Sequence, residues 1–182
     1  VKHLVAIVAL VIASALPALA DPQSDVVNAM TAFGKLTSYH IDATAGKDRS
    51  MSADVVNPGR MHVTAGPAEM IQIDGTTYVK FGGSWRQFAI PGMERIFSPV
   101  TYTQKLAAHK ADVTVTDLGT KVVAGAPLHA YLVKSGSVDR PATVYLDGTG
   151  ALTRVETVDG TGNLDVITFS NFNGPISIVA PI

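Results

Sequence analysis

Side chains able to do covalent chemistry are thinly spread along this chain. Cysteine is absent from the 182 residues, which removes thiol nucleophiles, disulfides, Cys-based metal sites and lipid attachment through a lipobox cysteine. Past the first twenty residues the histidines are His40, His62, His109 and His129. Of these, His40, His62 and His129 alternate with apolar neighbours, the pattern of a strand's solvent face rather than of a ligand set around a metal. Carboxylates for acid–base work must converge in a cleft. Asp42 and Asp54 fall on neighbouring strands, placed to face each other or to pair with Arg60, and no cleft is evident around them. Asp74-Gly75 and Asp147-Gly148 are turn dipeptides and lack the alternating oxygen ligands of a calcium loop. No GxSxG, HExxH or phosphate-cradling glycine loop occurs. The chain therefore reads as a protein that is not an enzyme, with no cofactor and no metal.

In place of catalytic groups the sequence offers apolar side chains on strand-like stretches. Met51, Met61, Met70, Ile71, Ile73, Val79, Phe81, Trp85 and Phe88 fall within one run of about forty residues. Such residues form a core, or they line a cavity wider than their own side chains fill. Methionine suits the second role because its thioether is flexible and polarizable. Alternation within each strand selects Tyr39, Ile41, Met61, Val63, Ile71, Ile73, Val79 and Phe81 as the lining of such a cavity. Trp85 is expected at the rim or wall of the concave face, where its indole N–H can reach a polar partner. A register slip of one residue moves a whole strand's set to the other face.

These side chains need a scaffold, and periodicity supplies one. After Pro22, the residues Val26, Ala29, Met30, Phe33 and Leu36 recur at spacings of three and four and predict one amphipathic helix. Ser24 or Asp25 is placed to cap it, and Thr37-Ser38 ends it. From Tyr39 the period changes to two. Turn signals then arrive regularly at 46–48, Asn57-Pro58-Gly59, Gly66-Pro67, Asp74-Gly75 and Gly82-Gly83. Residues 91–110 break the rhythm and read as a crossover between two β-rich halves, with a lid as the other reading. Strands resume with Asp112–Asp117, Thr120–Val123, Leu128–Lys134, Ala142–Leu146, Leu152–Val158 and Leu164–Phe172, followed by an apolar tail, Ile176–Ile182. Ten or eleven short strands imply a large antiparallel sheet, curled or closed.

The first twenty residues read as a secretory signal. Lys2 and His3 precede an apolar run from Leu4 to Leu16, Pro17 breaks it, and Ala18-Leu19-Ala20 presents small residues for cleavage. The run is too short for a span, which needs about 20 residues. A signal peptide at 1–20 and one domain at 21–182 are expected, with the mature protein in the periplasm or outside the cell and not membrane-anchored. The net charge of −1 is dispersed, so no basic stripe points to nucleic acid.

The order of elements resembles the LolA-like group of exported bacterial proteins, which includes the periplasmic lipoprotein carrier and the LppX/LprG-type lipid-binding lipoproteins. The resemblance is carried by FGKLTSYHIDAT at 33–44, ADVVNPGRMHV at 53–63 and EMIQIDGTTYVKFGGSWRQF at 69–88. It continues through VTDLGTKVVAGAPLHAYLV at 115–133, VYLDGTGALTRVE at 144–156 and FSNFNGPISIVAP at 169–181. It implies a mainly β protein with one or two helices. The implied shape is a half-open antiparallel β-barrel, with the helices closing a concave face that takes acyl chains or similar apolar ligands. The missing lipobox cysteine departs from the anchored members, and no clear counterpart of the carriers' lid-holding arginine is present. The expected function is a soluble binding protein for a lipid, a lipoprotein acyl chain or another hydrophobic ligand. The alternative is a filled barrel that docks an envelope protein partner.

Overall fold

The computed structural model describes residues 21–46, 48–88, 112–136 and 138–182. The expected signal peptide, the crossover at 91–110 and His109 lie outside these residues. One helix, α1 (Pro22–Phe33), precedes eleven strands: β1 (Ser38–Ala45), β2 (Arg49–Val56), β3 (Arg60–Ala65), β4 (Ala68–Ile73), β5 (Thr76–Phe81), β6 (Ser84–Phe88), β7 (Val113–Val123), β8 (Ala126–Ser135), β9 (Val138–Leu146), β10 (Leu152–Val158) and β11 (Leu164–Ser170).

The cap of α1 is Asp21, not Ser24 or Asp25. Its carboxylate accepts from the Gln23 N–H at 3.2 Å and from Ser24 Oγ at 2.7 Å. Pro22 occupies the first turn, where its missing N–H is no loss and its ring presets the helical φ. The helix ends three residues before Leu36, because Gly34 costs about 1 kcal/mol inside a helix relative to alanine and instead caps it, its N–H reaching Met30 O. Leu36 nonetheless packs against the sheet.

All strands pair antiparallel in one sheet of order β6-β5-β4-β3-β2-β1-β11-β10-β9-β8-β7. Two meanders, β1–β6 and β7–β11, meet at the β1·β11 seam, where Ile41 faces Phe169. The tight turns follow from local chemistry. Asp74 and Gly75 both hold positive φ, the requirement of a two-residue hairpin turn that Asp-Gly meets at low cost. The two strands expected at 112–117 and 120–123 are one, β7, interrupted by a bulge at Leu118. Gly119 takes φ +70° there and donates its N–H to Asp117 Oδ1 at 2.6 Å. The end strands β6 and β7 do not pair, so the sheet is open rather than a closed barrel. Among the described residues one helix lies on it.

That helix defines the two faces. Val26, Ala29, Met30 and Phe33 pack against Tyr131, Val144, Leu146 and Leu152. A second cluster, Tyr39, Ile41, Ala53, Val55, Met61 and Val63, continues the same face across β1–β3. The Phe33 ring joins the two, with its centroid 4.8 Å from Tyr39 and 4.7 Å from Phe169. Each fully buried large apolar side chain here contributes about 1.5–3 kcal/mol. The far face carries His40, Asp42, Asp54, His62, Glu69, Lys80, Arg154 and Glu156.

Candidate functional site

Pairing register assigns the nine candidate residues to faces. Tyr39, Ile41, Met61 and Val63 share the helix face and are buried there. Val79 joins them, because it pairs with Met70, which pairs with Val63. Phe81 follows Val79 by alternation but is 56 % exposed, with its ring 6.2 Å from Phe88 near the β6 edge. Ile71, Ile73 and Trp85 do not join the set. Ile71 pairs with His62 and Tyr78, and Ile73 with Arg60, on the far face. Trp85 pairs with Lys80, whose ammonium lies 5.5 Å from the indole centroid. The expected place of Trp85 on the concave wall is therefore corrected: its ring packs by cation–π attraction within a charged row. In that row Lys80 Nζ meets Glu69 Oε2 at 2.7 Å and His62 Nε2 meets Glu69 Oε1 at 3.0 Å. These contacts hold the Glu69 carboxyl below the usual carboxylate range, the Lys80 bond most strongly.

The residues that take the places of Ile71 and Ile73 are Met70 and Gln72. Gln72 pairs with Met61 on one side and Thr77 on the other. Gln72 is 3 % exposed and Thr77 0 %, and among the described residues neither Gln72 Nε2 nor Thr77 Oγ1 has a hydrogen-bond partner. An unpaired buried polar group costs about 1–3 kcal/mol, so two side by side on an apolar face are a notable expense. Sequence reading passed them over because polar residues in an alternating strand are normally solvent-facing. Turn counting would have found them. A two-residue turn at Gly66-Pro67 pairs Ala65 with Ala68, hence Val63 with Met70 and Met61 with Gln72.

At the other end of the helix face a pocket of about 650 Å³ opens between α1, β8 and the β9–β10 turn. That volume lies in the range of small-molecule sites. Asp25, Asn28, Ala29 and Ala32 form the helix wall, Pro127, His129 and Tyr131 the sheet wall, and Asp147–Gly150 the lip. The Tyr131 hydroxyl donates to Asp25 Oδ2 at 2.9 Å, and the His129 ring stacks on Tyr131 at 4.7 Å. His129 Nε2 meets Asp117 Oδ1 at 2.7 Å. The Gly119 N–H, and after it His129, hold the Asp117 carboxyl below its ordinary value. Burial, with the Asp25 carboxylate adding to it, pushes the Tyr131 phenol up to about 12. His129 thus faces the helix and lines a pocket, contrary to its expected solvent-face position.

His40 and His62 do lie on the far face. His40 Nδ1 sits 2.7 Å from Asp54 and Nε2 3.4 Å from Asp42, so the two carboxylates face each other across the imidazole. The Asp54 hydrogen bond raises the His40 pKa against the opposing effect of burial, and the Asp42 charge adds to it. Arg60 pairs with Asp74 at 3.8 Å instead. Among the described residues no three His, Cys, Asp or Glu side chains are grouped to hold a metal ion.

No family model matches the chain, and no curated protein matches it. Solved structures do. The lipoprotein LppX of Mycobacterium tuberculosis aligns at 20 % identity over 86 % of this chain and 97 % of its own, with a TM-score of 0.66. LprF of Mycobacterium bovis aligns at 22 % identity over 88 % and 96 %, with a TM-score of 0.65. MucB, in its complex with MucA from Pseudomonas aeruginosa, aligns at 17 % identity and a TM-score of 0.52, over 87 % of this chain and 59 % of MucB. The chain has the fold of LppX and LprF, and the resemblance read from the sequence holds at that level.

Proposed function

We propose that this chain is an exported binding protein that carries a lipid, a lipoprotein acyl chain or a similar apolar ligand in the periplasm or cell envelope, without covalent chemistry. The observation that carries this reading is a mismatch of sizes. Eleven strands at about 4.8 Å spacing span about 48 Å across the sheet. The twelve-residue helix on that sheet is about 18 Å long. The face it lies on continues well beyond this helix through the buried Ala53, Met61 and Val63 and the part-buried Met70 and Val79, with Gln72 and Thr77 as its polar members. An acyl chain packed among these side chains, reached past the part-buried Met70 and Val79, gains about 0.8 kcal/mol per buried CH₂. The likeness to LppX and LprF supports the reading, since nearly the whole of each aligns. No described helix is long and apolar enough to cross a membrane, and the export reading rests on residues 1–20.

A second reading, a face that docks an envelope protein, is favoured by the likeness to MucB, which was solved bound to MucA. Mass spectrometry of organic extracts from the protein purified from its native host separates the two. Stoichiometric lipid is expected. Lipid-free protein that also fails to bind a fluorescent fatty acid would overturn the carrier reading in favour of protein docking.

A further inference from the structure

We infer that Gln72 and Thr77 form a polar anchor on the helix face that receives the carbonyl oxygen of an ester-linked acyl chain. This rests on the carrier reading and adds what the carried molecule must contain. The two residues are register partners on neighbouring strands, so their side chains leave the sheet on the same side. They do not bond to each other, and neither Gln72 Nε2 nor Thr77 Oγ1 has a partner among the described residues. An amide N–H and a hydroxyl each supply a donor, and a carbonyl oxygen carries two lone pairs to meet both. The neighbours are apolar and adaptable. Met61 pairs with Gln72 on β3, and Met70 and Val79 form the next rung of the same face. Methionine side chains give way to a hydrocarbon chain with little strain. A carbonyl set in such surroundings lies where an ester joins an acyl chain to its headgroup. An alkyl chain with no acceptor leaves both donors unmet, and a site built to hydrogen-bond discriminates against the analogue that cannot.

The test uses vesicles of equal parts diacyl phosphatidylglycerol and its dialkyl-ether analogue of the same chain length. The purified protein is incubated with them and re-isolated, and the retained lipid is weighed by mass spectrometry. The wild type is expected to retain the ester form in excess by on the order of tenfold. The Gln72→Leu/Thr77→Val variant is expected to retain both forms equally, with a melting temperature no lower than the wild type's. Wild-type protein that retains lipid without preferring the ester overturns the anchor and leaves the carrier reading standing. A double variant that folds and keeps the full preference also overturns the anchor. Wild-type protein that retains neither lipid removes the carrier reading and the anchor together. Because the wild-type ratio alone can refute the inference, a variant that fails to fold does not shield it.

Discussion

Asp159 organises its turn through one oxygen, accepting from the Thr161 N–H at 2.8 Å, Thr161 Oγ1 at 2.7 Å and the Asn163 N–H at 2.9 Å. Asp147 does the same for Thr149 and Ala151. Both head the sequence Asp-Gly-Thr-Gly-x-Leu, a twelve-residue repeat of turn chemistry joining β9 to β10 and β10 to β11. The Thr161 hydroxyl, followed by the Asn163 groups, holds the Asp159 carboxyl far below its ordinary 3.8. A depressed carboxyl stabilises the fold above its unfolded pKa, and that contribution is lost as pH falls below about 4 toward the folded value. Thr161→Val is therefore expected to lower the melting temperature at neutral pH, with the gap from wild type closing in acid. A gap independent of pH would mean that the threonine acts by packing alone. The same scale shows what side-chain type conveys and what it does not. Tyr39, Ile41, Met61 and Val63 were legible because each strand there offers one apolar set. In Met70-Ile71-Gln72-Ile73 either face presents a plausible apolar residue, and composition favoured the isoleucines while register placed Met70 and Gln72 on the helix face.

Among the elements, α1 depends most on a single side chain. Phe33 sits at its last turn and touches Tyr39, Phe169 and Phe172, so it ties the helix to both meanders. Phe33→Ala is expected to cost about 3 kcal/mol, the low end for such truncations because the ring is only half-buried. Urea denaturation of the two proteins measures it. A loss under 1 kcal/mol would show that the helix is held by Val26 and Ala29 rather than by this ring. Strand positions were largely readable, and β10 has the limits, Leu152–Val158, that alternation predicts. The failures occurred at ends and joints. The helix cap is hard to read in the sequence because Asp21 precedes a proline and directly follows the expected cleavage site at Ala18-Leu19-Ala20. The fusion of two expected strands into β7 was missed because Leu118-Gly119 carries a turn's composition, and only pairing with β8 reveals a bulge.

On the scale of the whole molecule, three phenols are tied to the folded state. Burial pushes Tyr39, Tyr131 and Tyr145 each up to about 12, with Asp25 adding to the effect on Tyr131 and Glu156 to that on Tyr145. A phenol that keeps its proton longer when folded stabilises the fold fully below its unfolded pKa of 10.0, and the benefit drains away as pH rises toward 12. Melting temperature is expected to fall across that window, with tyrosinate absorbance appearing together with unfolding. Free titration of all tyrosines near 10 in folded protein would contradict this. The sheet order carries a different consequence. Among the described residues its two meanders meet along β1·β11, where the segment after β11 also bonds to Thr37 and Ser38, and through α1, which precedes the first meander and packs on β7 and β10 of the second. The Thr37 N–H, for example, reaches Asn173 Oδ1, 136 positions away. β6 and β7, consecutive in the chain, lie at opposite margins of the sheet. The protein is therefore built like a two-piece buckle whose clasp is noncovalent. Separate chains of residues 21–88 and 112–182, co-expressed, are expected to snap together as a one-to-one complex on size exclusion. Each alone would present the bare flank of β1 or β11 and aggregate.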